Sequence, residues 1–259
     1  EFKEVHSEVL DHLMGVEGPA AYPLNHGEGF CLIVDRFAEG KGYLPLVCRD
    51  LQSGEFQILL KEEYDMGENR KRHGSVLPLT QEEYRRLVCQ WGEEGRKCSD
   101  PVIPGLYADP DMIKEGDTYY LYPTTDGFPH WSGAQFKAFS SKNLRDWKEE
   151  GVILDLAAGQ VPWAVGSAWA PAVWKRNGRF YFYFCGKRPD GVSCIGVAVS
   201  DHPASGFRAM DKPLLTPEIV REAGVEMGQT IDPSLYEEDG KVYLLFGNGR
   251  PAIVMLSED

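Results

Sequence analysis

A repeated unit of a small or acidic residue, Pro, a Gly turn and an aromatic strand predicts an all-β chain folded as a β-propeller. Two further observations point the same way. Pro110, Pro171 and Pro233 stand about 60 residues apart, a repeat long enough for a four-stranded unit. Apolar helical periodicity is scarce, whereas the aromatic residues, 12% of the 259-residue chain, gather in strand-like runs. A β-sandwich would repeat no motif at this length.

Taken in chain order, Gly18-Pro19 precedes Gly29 and the run Phe30–Val34, and Asp109-Pro110 precedes Gly116 and Tyr119–Tyr122. Ala170-Pro171 precedes Gly178 and Phe180–Tyr183, and Asp232-Pro233 precedes Gly240 and Val242–Phe246. Further strands are expected at Gln135–Ser140, Gly151–Leu154, Ser193–Ser200 and Lys212–Leu215, from alternating or apolar runs bounded by polar turns. One helix is expected over residues 80–91. Thr80 is its N-cap with Glu83 three residues on, and Tyr84, Leu87, Val88 and Trp91 form an apolar face. The polar stretch 92–100 reads as a linker. Trp147 and Trp174 read as packing, and Glu149-Glu150 as a solvated turn.

A formal charge of −13 argues against nucleic acid or an anionic membrane as partner, and a neutral substrate such as a carbohydrate fits it. The six cysteines show no CxxC spacing and no compact framework, so reduced thiols are expected. With no secretory apolar region in view, this favours a cytoplasmic over a secreted protein, although a start at Glu1 leaves room for a removed leader. No apolar run approaches the ~20 residues of a membrane-spanning helix.

Carboxylates stand beside the proline in three copies: Asp109, Asp232 and, one residue further back, Glu17. One acid at the same structural point of several units suggests acids converging on a common axis, which is a catalytic arrangement. Each one alone also reads as a turn-capping residue before a strand.

Pro101-Val-Ile-Pro-Gly-Leu-Tyr-Ala-Asp-Pro-Asp111, Ser167-Ala-Trp-Ala-Pro-Ala-Val-Trp174 and Ile231-Asp-Pro-Ser-Leu-Tyr-Glu-Glu-Asp-Gly240 resemble successive blades of glycoside hydrolase family 43. Members of that family are five-bladed β-propeller enzymes acting on arabinose- and xylose-containing glycans. Gly15-Val-Glu-Gly-Pro19 resembles the family's general-acid motif, and Lys71-Arg-His-Gly-Ser-Val76 its last blade. The resemblance therefore implies a circularly permuted ring in one domain spanning 1–259. Residues 1–91 form blades four and five, 92–100 a linker, and 101–259 blades one to three. The competing account is a fragment that joins the end of one propeller to the start of the next and is active only as a swapped dimer.

By this resemblance Asp109 is the general base, Glu17 the general acid and Asp232 a third carboxylate holding up the pKa of Glu17. The outcome is inversion, in an exo-acting α-L-arabinofuranosidase, with β-xylosidase next and a non-catalytic carbohydrate-binding propeller as the other class. His73 is assigned to the axis near a water-coordinated Ca²⁺; no organic cofactor is expected. Trp131 and Phe128, on a Gly/Pro-rich loop, and Trp169 are candidate stacking surfaces for sugar rings. Asp126 and Arg250, each just past a strand read as innermost, are candidate hydroxyl contacts. The expected partner is an oligo- or polysaccharide, for a monomer or homodimer.

Overall fold

Each acid–Pro unit folds as a hairpin. The residues around Pro form a first strand, the Gly sits in the turn, and the aromatic run returns as a second strand. A computed structural model describes residues 3–67, 70–91 and 102–257. It contains β1 (Lys3–Glu4), α1 (Glu8–His12), β2 (Glu17–Pro23), β3 (Phe30–Asp35), β4 (Tyr43–Cys48) and β5 (Gln57–Ile58). These are followed by α2 (Gln81–Trp91), β6 (Tyr107–Glu115), β7 (Thr118–Thr125), β8 (Gln135–Ser141) and β9 (Lys148–Asp155). Next come β10 (Gly166–Arg176), β11 (Arg179–Lys187), β12 (Ser193–Ser200), β13 (Arg208–Ala209) and α3 (Pro217–Glu222). The chain closes with β14 (Ser234–Glu238), β15 (Lys241–Phe246) and β16 (Ala252–Met255).

The strands pair as antiparallel meanders in four four-stranded sheets, β2–β5, β6–β9, β10–β13 and β14–β16 completed by β1. In the last, Lys3 lies opposite Met255 and Glu4 opposite Val254, so the two ends of the chain finish one sheet. The sheets neighbour one another around an axis: β10 packs on β6 and β7, β14 on β10, and β2 on β14 and β15. This is a β-propeller, with β2, β6, β10 and β14 as inner strands.

Second strands are apolar almost throughout because each is covered on both faces. β3 is buried along its whole length, and β11 and β15 nearly so. Between the second and third of these sheets, Tyr122, Phe136, Phe182 and Phe184 are fully buried. Their rings meet edge-on, Phe136 to Phe182 at 5.1 Å and Phe136 to Phe184 at 5.6 Å. Burial of one such ring stabilises the fold by about 1.5–3 kcal/mol. Comparable clusters join β10–β13 to β14–β16 and β14–β16 to β2–β5.

The resemblance implies five blades; among the described residues there are four sheets. Between β2–β5 and β6–β9 lies a segment, residues 59–80, whose described residues form no strand, followed by α2. Its basic run Arg70-Lys71-Arg72 and its Gly67, Gly74 and Pro78 give no alternating apolar pattern for a strand. The two sheet faces turned toward it carry only small apolar clusters, around Ile33 on one side and Leu121 on the other. Polar contacts span the gap instead. Tyr43 Oη donates to Gly74 O (3.4 Å) on one flank, and Lys114 and Tyr119 Oη both bind Glu83 of α2 on the other.

Other expectations are corrected in detail. Thr80 and Glu83 form the expected reciprocal cap, but α2 docks through the buried Glu83, while Tyr84 and Val88 stay 55% and 41% exposed. The tail of the third repeat pairs at Arg208–Ala209 and not at Lys212–Leu215, where only Leu215 makes an isolated bridge to Ile195. Glu149 and Glu150 lie in β9, paired with Lys137 and Lys148 across and along the strand. Trp147 and Trp174 do pack against apolar clusters. The expected linker, 92–100, lies outside the described residues. Cys31, Cys48, Cys185 and Cys194 are buried free thiols, and Cys89 is an exposed one. No described helix is long and apolar enough to cross a membrane.

Candidate active site

The residue before each repeated proline has left-handed backbone: Gly18 (φ 56°), Asp109 (φ 44°), Ala170 (φ 42°) and Asp232 (φ 60°). A pre-proline residue strongly prefers extended backbone, so at the three non-glycine positions this costs about 1–3 kcal/mol each. The pairing register slips there, between Ala108 and Asp111 on β6 and between Trp169 and Ala172 on β10. Proline tolerates such a bulge because it has no N–H to lose from the ladder. The kink turns the acid out of the pleat toward the axis. At the ring position without a sheet, His73 repeats the same left-handed backbone (φ 36°).

The carboxylates of Glu17, Asp109 and Asp232 come together around that histidine. His73 Nε2 lies 3.0 Å from Glu17 Oε1, and Nδ1 lies 3.0 Å from Asp109 Oδ1. With ring nitrogens ~2 Å apart, the nearest Glu17 and Asp109 oxygens are separated by about 8 Å at most, compatible with the roughly 6.5–9.5 Å of inverting hydrolases. Asp232, only 7% exposed, accepts from Gly18 N at 3.1 Å, while its own N–H donates to Cys185 Sγ. Gly18 packs flat against His73, and a Cβ there would stand 3.2 Å from the ring.

Residues outside the repeated motif complete the cluster. Arg72 donates through Nε to Asp35 Oδ2 (2.6 Å) and through Nη2 to Glu17 Oε1 (3.0 Å). Asn248 Nδ2 donates to Glu17 Oε2 at 2.6 Å. Thr124 Oγ1 donates to Asp109 Oδ2 (2.8 Å) and accepts from Ala170 N (2.7 Å), which explains why the copy with no acid keeps the same bulge. Below the acids an axial cavity of about 450 Å³ is lined by the inner strands and by residues 73–78. Within it Asp111 accepts from Val173 N (2.7 Å), and burial pushes its carboxyl up to about 6.

The electrostatics divide the carboxylates. Burial, reinforced by the Asp109 and Glu17 charges and opposed by His73, lifts Asp232 to about 7. Burial also acts upward on Glu17, yet hydrogen bonds and charge from His73, the Asn248 amide and Arg72 together outweigh it and hold Glu17 below its ordinary value. This reverses the expected direction for a general acid held up by Asp232, because His73 was expected beside a cation and not on Glu17, and neither Arg72 nor Asn248 was expected there. His73 is lowered by burial, but its bonds to Asp109 and Glu17 and the charges of Asp232 and Asp109 raise it to about 10, so it is an imidazolium at neutral pH.

Glu17, Asp35 and His73 present donor atoms within 4.8 Å of one another. Alone the set is too small for Ca²⁺, which takes 6–8 oxygen ligands, and a cation there would need waters to complete it. Both His73 nitrogens face carboxylates and Arg72 bonds Asp35 Oδ2 and Glu17 Oε1, while Asp35 Oδ1 is buried without a partner among the described residues.

The expected sugar-contacting residues lie apart from the cavity. Trp131 is 69% exposed on a turn where it and His130 both have positive φ, and its carbonyl accepts from Trp169 Nε1 at 2.7 Å. Lys187 Nζ sits 4.7 Å from the Trp169 ring centroid. Phe128, also exposed, and Asp126 share the loop after β7, the strand that carries Thr124. Asp126 and Arg250 follow second strands, not innermost ones. Arg250 is bound through Nη2 to Asp11 of α1, at O (2.6 Å) and Oδ1 (3.0 Å), which fastens α1 to the sheet. Asp35, Arg72, Thr124 and Asn248 were missed by sequence reasoning. The signals for two were available: Arg72 adjoins His73, and Asn248 follows an aromatic second strand just as Asp126 does.

The family model of glycosyl hydrolases family 43 matches residues 98–258, and that of a probable glycosyl hydrolase domain matches 2–85. A xylosidase/arabinosidase 43A of Humicola insolens is 28% identical over 57% of this chain and 45% of its own length. A β-D-galactofuranosidase of Aspergillus niger is 31% identical over 71% of this chain and 55% of its own. The solved GH43_1 enzyme of Xanthomonas citri complexed with xylose superposes with a TM-score of 0.50 at 31% identity, covering 64% of this chain and 46% of the other. The chain thus spans about half the length of the curated relatives it matches.

Proposed function

The chain belongs to glycoside hydrolase family 43, and from that premise we propose that it is an inverting exo-glycosidase releasing terminal pentose from arabinose- or xylose-containing glycans. α-L-Arabinofuranoside is the first substrate class and β-xyloside the second. The observation that carries this reading is the meeting of Glu17 and Asp109 on the two nitrogens of His73 with Asp232 beside them.

In this reading Asp109 takes the proton of the attacking water. His73 Nδ1 and the Thr124 hydroxyl fix its two oxygens, so one lone pair is aimed at the water. Glu17 protonates the leaving oxygen. Free, Glu17 is ionised; burial is already the largest influence on it and acts upward, and a sugar seated over it removes more water and so acts in the same direction. Asp232, raised to about 7 by burial, carries only part of a charge at neutral pH in a site already holding three carboxylates. These residues perform acid–base chemistry alone. An axial Ca²⁺ would require His73 to give up a carboxylate partner, and no step depends on it.

We also read the ring as permuted, 1–91 preceding a linker at 92–100 and then 101–259. The pairing of β1 with β16 and the order of the two family matches support it.

The test is turnover of p-nitrophenyl α-L-arabinofuranoside, β-xyloside and β-D-galactofuranoside by wild type, Asp109→Ala and Glu17→Ala. The third substrate is included because of the Aspergillus niger relative. Each variant is expected to lose about 10²–10⁴-fold in kcat. Full activity in Glu17→Ala refutes both the acid assignment and the single-ring reading.

A further inference from the structure

The two oxygens of Glu17 have different surroundings. Oε1 accepts from two cationic groups, His73 Nε2 and Arg72 Nη2, both at 3.0 Å. A proton on Oε1 would point at donors and find no acceptor. Oε2 meets one neutral donor, Asn248 Nδ2, at 2.6 Å, which leaves its second lone pair for a proton. The side of Glu17 on which a proton is deliverable is therefore the side that Asn248 holds.

Asn248 is itself fixed through its backbone. It exchanges N–H···O bonds with Gln229 (3.1 and 3.3 Å), its carbonyl also accepts from Gly228 N (2.8 Å), and Gly249 N donates to Val16 O (2.8 Å). Val16 directly precedes Glu17, so the β15–β16 turn and the start of β2 are locked in register where the two side chains meet. Such rigid support is what a proton donor needs, since proton transfer requires hydrogen-bond reach and alignment in the transition state.

We propose that Asn248 is a positioning residue for the general acid, selecting Glu17 Oε2 as the oxygen that carries the proton and aiming it at the leaving group. This rests on the assignment of Glu17 as that acid. Other charged groups facing Glu17 are Arg72 and His73 from the strandless segment, Asp35 from β3 and Asp232 from the segment before β14. None of them reaches Oε2 within hydrogen-bond distance.

The experiment compares leaving groups, using the glycone that wild type turns over. A dinitrophenyl glycoside departs without protonation; an oligosaccharide or phenyl glycoside needs the acid. Asn248→Ala is expected to lose about 10-fold or more in kcat on the unactivated substrate and under about 3-fold on the dinitrophenyl one. Removing a donor from a carboxylate also raises its pKa, so the alkaline limb of the kcat profile moves up by about one pH unit. Asn248→Asp, of matching shape, is read in the same way should Asn248→Ala melt early. Equal losses on both substrates, or an unmoved alkaline limb, overturn the proposal and leave Asn248 a packing residue. Glu17→Ala is run beside them. If it shows no leaving-group dependence, the acid assignment falls and the proposal with it; if only the Asn248 variants lack it, the proposal alone falls.

Discussion

Asp232→Asn is expected to make the protein more stable while disabling it, with a gain that grows from about pH 4 and is complete above about pH 7. The native carboxyl titrates near 7 against an ordinary 3.8, with burial the main cause. Below pH 3.8 both folded and unfolded states hold the proton, and the native state keeps its full relative stability. As pH rises toward 7 the unfolded chain ionises first, so stability falls and the loss is complete above the folded value. At 1.36 kcal/mol per unit the full shift corresponds to about 4 kcal/mol. Because His73 and the neighbouring carboxylates readjust together, about 2–4 kcal/mol is the expected gain on neutralising the group. Asparagine still offers an oxygen to Gly18 N, so the fold keeps that bond. In thermal melts at a fixed scan rate, the variant should exceed wild type by roughly 4–8 °C at pH 8 and match it near pH 4. A Tm difference independent of pH, or a variant less stable at pH 8, refutes the reasoning.

Three more outcomes follow from the same geometry. Gly18→Ala must place a Cβ 3.2 Å from the His73 ring at a φ of 56°, and is expected to lose about 1–3 kcal/mol of stability along with activity; a melt equal to wild type contradicts the packing described. Chelation with EDTA should leave kcat/KM within about 2-fold of the untreated enzyme, since the His73 cluster is already charge-paired; a large loss restored by Ca²⁺ reverses that conclusion. Mixing inactive Glu17→Ala with inactive Asp109→Ala should restore nothing, because both residues reach one His73 within a chain, whereas exchange between chains would return about a quarter of wild-type activity.

The hairpin repeat was legible because it depends on local chemistry. Gly116, Gly178 and Gly240 supply left-handed turns, and the aromatic runs after them can only be second strands covered on both sides. The convergence of Glu17, Asp109 and Asp232 was legible because all three belong to one repeated backbone feature. The partners of those acids were not. Arg72 and Asp35 are 37 positions apart and Asn248 and Glu17 are 231 apart, and no short-range pattern encodes such pairings. The direction of the Glu17 shift depended on those same partners. α2 was found but its face was misjudged, because a single buried carboxylate, Glu83, with Lys114 and Tyr119 waiting for it, outweighed the apolar stripe.

The strandless position of the ring accounts for the site's charge balance. Two sheets deliver an acid to the axis from a bulged inner strand, β2 and β6, a third from the residue pair just before β14, and the fourth delivers Ala170, whose N–H steadies Asp109 through Thr124. Four such positions cannot supply a cation, since each carries a small or acidic residue beside its proline. The segment at 70–78 carries the same left-handed backbone at His73 but no ladder, so it is free to bring Arg72 and His73 between the acids. Two positive groups then face the carboxyl groups of Glu17, Asp35 and Asp109, and a further negative charge in so buried a place is unfavourable. Burial together with that charge balance raises the Asp232 carboxyl to about 7.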